Sequence, residues 1–470
     1  MDHITALQDI VGTKFAVTGS DADKWRQDWT GDYVVNPSVV VRPASTDEVA
    51  QVMRYAHAHD LPVVPVSGHT GLTGATANDG AVMLSVDRLN LIERIDVEGR
   101  TVTVGSGVVL QSIHDTVEAH DLIFPLTFGA RGTAMIGGAL STNAGGSNVV
   151  RYGNTRDLCL GVEVVLADGR VMNLMSALHK DNSGYNLKHL VIGAEGTLGI
   201  ITKAVLKLFT KPKAYATAMV ATPSIADALT LLHRIQDETG GAVEAFELMT
   251  RSYIDLHLRQ TPDGKEPFSE PFETNIMIEV GATSAEDATV QESGQTRLSE
   301  KLEATLGALL EEGAVLDAVV AQNEAQRAEM WARREAAGHI GYLEGPRVDT
   351  DIAVPLDQVE PVIARIGEKI RKIDPGAWEV VVAHLGDGNI HHAIYPKDTG
   401  PEMFDTFVEA VEDTVQEVGG SFSAEHGVGL SKLKTMTRRK DPVALAAMQA
   451  VKKALDPKGI LNPGKVIPPV

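Results

Sequence analysis

Three observations in the sequence predict an α+β protein with two domains. Residues 61–210 are short β-branched runs broken by glycine clusters. After Lys211-Pro212-Lys213, which reads as a linker, strand-like runs alternate with long amphipathic helices. In that second half Asp387-Gly388, set between apolar flanks, is a strong hairpin signal and implies an antiparallel sheet. The expected divisions are a helical segment at 1–35, a β-rich domain at 36–213, an α+β domain with an antiparallel sheet at 214–420, and a C-terminal segment at 421–470.

Residues 5–58 hold two helical stretches around a polar segment. The second, over 46–59, is opened by the cap-like run Ser45-Thr46-Asp47-Glu48. Strands are expected at 61–66, 81–86, 101–104, 161–166 and 200–208. In the second half strands are expected at 216–221, 243–248, 275–280 and 351–355, and helices at 224–238, 285–311, 323–342, 357–372 and 402–418. The last helix carries Phe404, Phe407, Val408, Val411, Val415 and Val418 at helical spacing and stops at Gly419-Gly420. Such a stripe reads as a helix covering a sheet.

A chain of 470 residues is long enough for two or three domains, and 43% hydrophobic with 22% charged residues is ordinary for a soluble globular protein. The formal charge of −21 argues against nucleic acid, whose phosphates it would repel. Cys159 is the single cysteine, which excludes an internal disulfide; between Leu158 and Leu160 it reads as an inert core thiol. No run approaches the ~18 apolar residues of a membrane span. Met1-Asp2-His3-Ile4 has the features of neither a signal nor a transit peptide, so a cytoplasmic location is expected.

The hairpin carries chemistry. With a two-residue turn at Asp387-Gly388, Gly386 faces Asn389, Leu385 faces Ile390 and His384 faces His391. Opposed residues share a sheet face with Cβ atoms roughly 4.5–5.5 Å apart, so two imidazoles converge while His392 points away. Glu425, in Ala424-Glu425-His426-Gly427, would complete a two-histidine, one-carboxylate set suited to a divalent metal with open positions.

Three glycine clusters end expected strands. The first is Pro65-Val66-Ser67-Gly68-His69-Thr70-Gly71-Leu72-Thr73-Gly74. The second runs from Gly129-Ala130-Arg131-Gly132-Thr133 through Gly137-Gly138 to Asn143-Ala144-Gly145-Gly146. The third is Gly193-Ala194-Glu195-Gly196-Thr197-Leu198-Gly199-Ile200. Successive amides in such loops form anion nests suited to a pyrophosphate, and three on one domain favour a dinucleotide laid across it. The first is no Rossmann fingerprint, since no helix clearly opens after it.

These loops, together with Arg151-Tyr152-Gly153, Gly161 to Gly169, Lys180 to Leu187, the His384/His391/Glu425-His426 set and Leu461-Asn462-Pro463-Gly464-Lys465, resemble one family throughout. It is the D-2-hydroxyacid dehydrogenase branch of the vanillyl-alcohol oxidase and p-cresol methylhydroxylase flavoproteins, nearest the D-2-hydroxyglutarate dehydrogenases and then the D-lactate dehydrogenases. The resemblance implies a PCMH-type FAD-binding domain, an FAD-linked oxidase C-terminal type cap, and a C-terminal segment returning to the flavin site. It implies non-covalent FAD held by Pro65, Ser67, Gly68, His69, Thr70, Gly71, Gly129, Gly132, Thr133, Gly137, Asn143, Gly145, Gly146, Arg151, Glu195, Gly196, Ile200 and Asn462. In some superfamily members a histidine in the position of His69 bonds covalently to the flavin. The family metal, usually zinc, falls to His384, His391 and Glu425.

A metal-chelated 2-hydroxy acid loses its hydroxyl proton more readily, and His426 is the candidate general base. Arg334 takes the place of the family's carboxylate-binding arginine, with Glu425 and His426 also touching substrate; its neighbour Arg333 reads as an exposed helix residue. The pocket departs from the hydroxyglutarate pattern, which carries lysine, asparagine and threonine where this chain has Asp349, Ala393 and Gly338. Asp349 would repel a second substrate carboxylate, leaving D-lactate a competitor. No NAD motif is present, so electrons should pass to a protein such as an electron-transfer flavoprotein, or to a quinone. An oxidase using oxygen, or a non-catalytic metal-binding relative, are the alternatives. A homodimer is compatible with the sequence.

Overall fold

The computed structural model describes residues 2–468. Val39-Val40-Val41 has no polar face, and a strand of that kind has to be covered on both sides. Val39–Val41, Val82–Ser85 and Val63–Val66 form the parallel part of a four-stranded sheet, with Ala16–Val17 antiparallel at its edge. Helix Thr46–Ala58 packs Val49, Val52 and Met53 onto it, and Ser45 caps the helix by accepting the Glu48 N–H.

A second sheet is antiparallel, in the order Ile92–Asp96, Thr101–Gly105, Ile200–Lys207, Cys159–Val165, Val171–Leu174. Its two outer strands were not expected from the sequence. Both are half-exposed edges whose polar residues blur the alternation that marks a strand.

The second half forms a seven-stranded antiparallel sheet. Its order is Asp317–Val320, Ala214–Thr222, Thr274–Ala282, Val243–Thr250, Trp378–His384, Asn389–Tyr395, Val348–Ala353. Helices Ile225–Thr239, Arg297–Glu311, Val359–Ile373 and Pro401–Glu417 cover one face, where Phe407, Val411 and Val415 from the expected stripe are buried. Helices Arg251–Gln260 and Glu324–Glu335 pack on part of the other face, which also carries the histidines. The helix expected over 285–311 begins only at Arg297. A turn at Ser293-Gly294, with Gly294 at φ 84°, interrupts the pattern, and Thr296 then caps the helix.

The hairpin register differs from the expected one. His384 pairs with Asn389, Ala383 with Ile390 and Val382 with His391, so the loop has four residues, not two. Only Gly388 takes positive φ, at 80°, where a type I′ turn would need Asp387 there too. The longer loop is held from outside: the Gly386 N–H donates to Phe246 O at 3.2 Å, the Val354 N–H donates to Gly388 O at 3.1 Å, and Leu385 is fully buried. A slip of two residues leaves every side chain on its own face, so His384 and His391 still face the same way.

The tail of the chain ties the sheets together. Ser421 forms an antiparallel bridge to Ala353 at the edge of the seven-stranded sheet, and Leu461 a parallel bridge to Val63 in the first sheet. No helix among the described residues is long and apolar enough to cross a membrane.

Candidate active site

Pairing in the large sheet decides what surrounds the histidines. Glu247 lies directly across from His384, and Asp351 directly across from His391. The Glu247 carboxylate is fully buried and holds His384 Nδ1 at 2.9 Å with one oxygen and Arg334 Nε at 2.7 Å with the other. Burial alone would raise its pKa, but His384 and Arg334 hold it down at about 2. Burial likewise works against a charged His384, and Glu247 more than offsets it, so the His384 pKa is raised. The carboxylate thereby fixes the proton on Nδ1 and leaves Nε2 turned toward the loop that follows helix Pro401–Glu417.

Asp351 docks that loop. Its Oδ2 accepts the backbone N–H groups of Ala424, Glu425 and His426 at 3.1, 3.0 and 2.9 Å, and Asn389 Nδ2 donates to Oδ1 at 2.9 Å. Burial opposes ionisation of Asp351, but His426, Lys432 and His391 together hold its pKa far below the usual carboxylate range. Nδ1 of His391 and of His426 lie 3.8 and 3.7 Å from it, which leaves their Nε2 atoms facing Glu425. Glu425 Oε1 then sits 3.8 Å from His384 Nε2, 3.4 Å from His391 Nε2 and 3.8 Å from His426 Nε2. Burial, and then the neighbouring His384, push the His391 pKa well down, so this imidazole is neutral and ready to ligate.

Asp351, His391, Glu425 and His426 offer ligand atoms that all lie within 4.8 Å of one another. Asp351 is nevertheless the poorest donor of that group, because its oxygens already accept four hydrogen bonds. His384, His391 and Glu425 have ligand atoms still free, with Glu247 holding His384 Nδ1 at 2.9 Å and Asp351 standing 3.8 Å from His391 Nδ1. That donor set fits a divalent cation.

These groups form one end of a cavity of about 890 Å³, toward the upper limit for small-molecule sites. Every residue expected at flavin, metal or substrate lines it except Gly132, Asn143 and Arg151. Asn143 instead ends helix Ile136–Thr142 in the left-handed conformation and accepts the Arg156 N–H. Gly132 sits in the turn beside Thr133, clear of the cavity. Arg151 bridges the halves of the molecule: its Nη1 donates to Glu244 Oε1 at 2.6 Å and to Gly281 O at 2.7 Å. Its charge partner, buried Glu244, lies outside the cavity lining.

The glycine loops fit a dinucleotide through close backbone packing. A Cβ on Gly68 would stand 2.4 Å from Thr133 O, so the first two loops touch only because it is glycine. Gly146 combines φ 145° with a Cβ position 2.2 Å from Thr127 O. In the third loop Glu195, at φ 49°, accepts the N–H groups of Val428 and Gly429 at 2.7 and 2.9 Å, and Asn462 Nδ2 donates to Glu195 O at 2.8 Å. His69 Nε2 lies 3.2 Å from Thr76 Oγ1, and burial lowers its pKa. Asn462 Oδ1 and Arg334 Nη2 are buried without a partner, and both residues line the cavity.

The architecture of three glycine-rich loops facing a histidine–carboxylate cluster has relatives. A family described as "FAD binding domain" matches residues 37–175, and one described as "FAD linked oxidases, C-terminal domain" matches residues 211–466. The chain belongs to the FAD-linked oxidases. A protein of Xanthomonas citri pv. viticola named D-2-hydroxyglutarate dehydrogenase is 33% identical over 472 residues, covering 99% of this chain and 96% of that one. One of the same name from Stutzerimonas stutzeri is 34% identical, covering 98% of each. The Bos taurus protein named D-2-hydroxyglutarate dehydrogenase, mitochondrial, is 34% identical over 99% of this chain and 84% of its own length. A solved p-cresol methylhydroxylase shares the fold, with TM-score 0.73 at 18% identity over 99% of this chain and 96% of its own.

As an FAD-linked oxidase the chain has site residues that its sequence pattern did not reveal. Glu247, Asp351 and Lys432 surround the candidate ligands from outside any recognisable motif, and Asn389, although inside the hairpin motif, was not expected at the site. Their roles arise from sheet pairing and loop docking. Arg333 also departs from expectation: it is buried and donates to Lys265 O at 3.2 Å.

Proposed function

We propose that this enzyme oxidises a D-2-hydroxy acid to the 2-oxo acid, with FAD bound non-covalently along the glycine loops and zinc at His384, His391 and Glu425. The observation that carries this reading is Arg334. One face of its guanidinium is fixed by Glu247, which also orients His384, and Nη2 is left buried and unpaired beside the candidate ligands. A carboxylate arriving there meets a charged donor next to two imidazoles. A planar guanidinium anchored on one edge suits that role. The names of the relatives support a 2-hydroxy acid substrate.

Oxidation removes a hydride from C2 and a proton from the hydroxyl. Bound FAD supplies the hydride acceptor, and a divalent metal at the three ligands supplies Lewis acidity toward the hydroxyl oxygen. The chain's own work is positioning and proton transfer. Arg334 binds the carboxylate. His426, with Nδ1 toward Asp351, presents Nε2 to the hydroxyl proton, and the Asp351 carboxylate stabilises the imidazolium that results. Electrons leave to a protein or quinone acceptor.

The test is dye-linked turnover and flavin bleaching with D-2-hydroxyglutarate, D-malate and D-lactate. Bleaching by at least one acid is expected. Chelation should abolish turnover with the flavin spectrum intact, and zinc should restore it. Acid precipitation should release the yellow colour; colour kept in the pellet would mean attachment at His69. Full activity of a His384→Ala, His391→Ala double variant would refute the metal assignment.

A further inference from the structure

The ligand-bearing sheet face continues past the metal row, and what it carries there bears on the substrate's side chain. Strand register sets residues in rows across Trp378–His384, Asn389–Tyr395 and Val348–Ala353. The first row is Val382, His391, Asp351; the next is Val380, Ala393, Asp349; beyond it Tyr395 pairs with Trp378. Rows two residues apart are separated by roughly 6.5 Å. Val382, Val380, Ala393 and Tyr395 all line the cavity, and Leu256 and Ile340 line it from the facing helices. These side chains belong to one apolar cluster that extends under the sheet.

The charged groups here cancel. Asp349 Oδ1 accepts from Arg347 Nε at 2.6 Å, and the Arg347 guanidinium lies over the Tyr342 ring, 3.5 Å from its centroid. Among the described residues the cation beside the second row is Arg347, and Asp349 already matches its charge through Nε. There is also room: nothing lies within 4 Å of a Cβ placed on Gly338, and Ala393 is the smallest side chain that still lines the floor.

We infer that the enzyme prefers D-2-hydroxy acids whose side chain is uncharged and apolar, branched aliphatic or aromatic, over those with a second carboxylate. The inference rests on the dehydrogenase reading above and names the side-chain class for the same site. The reaction is R–CHOH–COO⁻ to R–CO–COO⁻, with the hydride to the flavin and the hydroxyl proton to His426. An apolar R group replaces water along Val380, Ala393 and Tyr395. A terminal carboxylate would lose water beside Asp349 and would have to compete with it for Arg347.

The holoenzyme should be assayed with D-lactate, D-2-hydroxyisocaproate, D-phenyllactate and D-2-hydroxyglutarate. One well-placed apolar group is worth about 10-fold or more in kcat/KM. D-2-hydroxyisocaproate or D-phenyllactate should therefore exceed both D-lactate and D-2-hydroxyglutarate by at least that factor. A preference for D-2-hydroxyglutarate, or no advantage over D-lactate, overturns the inference. Ala393→Phe and Gly338→Leu fill the pocket from opposite walls. Each should lower the ratio of kcat/KM for D-2-hydroxyisocaproate to that for D-lactate, and an unchanged ratio in both overturns it as well. Product binding gives an independent readout, with 4-methyl-2-oxopentanoate raising Tm more than 2-oxoglutarate at equal concentration. If no hydroxy acid bleaches the flavin, the dehydrogenase reading fails, and the Tm shifts alone then decide the side-chain preference.

Discussion

Single residues at the centre divide into those proposed to touch substrate and those that hold others in place. His426→Ala removes the proposed base and should slow flavin reduction by ~10²–10⁴-fold, the usual worth of general acid–base catalysis. Arg334→Ala should act chiefly on KM, since a charged hydrogen bond contributes roughly 1.5–3 kcal/mol. Glu247→Gln keeps the shape but loses the charge that holds both His384 and Arg334. Metal affinity, measured by competition with a chromophoric chelator, should fall by about 10–100-fold, the typical effect of removing an orienting partner. Cys159 is a contrasting case. It is buried, and burial pushes its thiol up to about 12, so thiol reagents at pH 8 should label the protein only after unfolding. That inertness was readable from its two leucine neighbours. The roles of Glu247 and Asp351 were not, because each is set by pairing with a strand far away in sequence; Glu247 and His384 are 137 residues apart.

At the level of elements, the hairpin shows how far a pattern can reach. Period-two alternation placed His384 and His391 on one face whether the loop held two residues or four. The loop itself depends on Phe246 and Val354, outside the hairpin, and a local turn rule has no access to them. Gly388→Ala would put a Cβ 2.3 Å from Val354 O at φ 80° and should destabilise by at least ~1–3 kcal/mol, seen as a lower Tm. Activity should fall further than stability, because the loop sets the end of the strand that carries His384. The long helices with clear apolar stripes were legible for the opposite reason: each buries its stripe against the sheet in the way the spacing implies. The edge strands Ile92–Asp96 and Val171–Leu174 were not, since exposure on one side removes the pattern.

Across the whole molecule, the sequence indicated two halves but not how they are joined. Arg151 was placed at the flavin by its motif, yet it anchors the first half to Glu244 in the second. Arg151→Ala would leave that buried carboxylate without its cation, with only the Tyr152 hydroxyl and the Asn148 amide still donating to it, and removing one partner of a buried ion pair costs up to ~3–5 kcal/mol. A lower Tm and faster flavin loss on dilution are expected. The return of residues 421–468 has a consequence for synthesis. Val63 is made long before its partner Leu461, and Asn462, which holds the Glu195 loop, follows Leu461. While translation continues, the first sheet has an open edge and the third glycine loop lacks its fastening. Cofactor loading should therefore wait until Leu461 and Asn462 have emerged, and a nascent chain stalled near residue 455 should fold its sheets yet stay colourless.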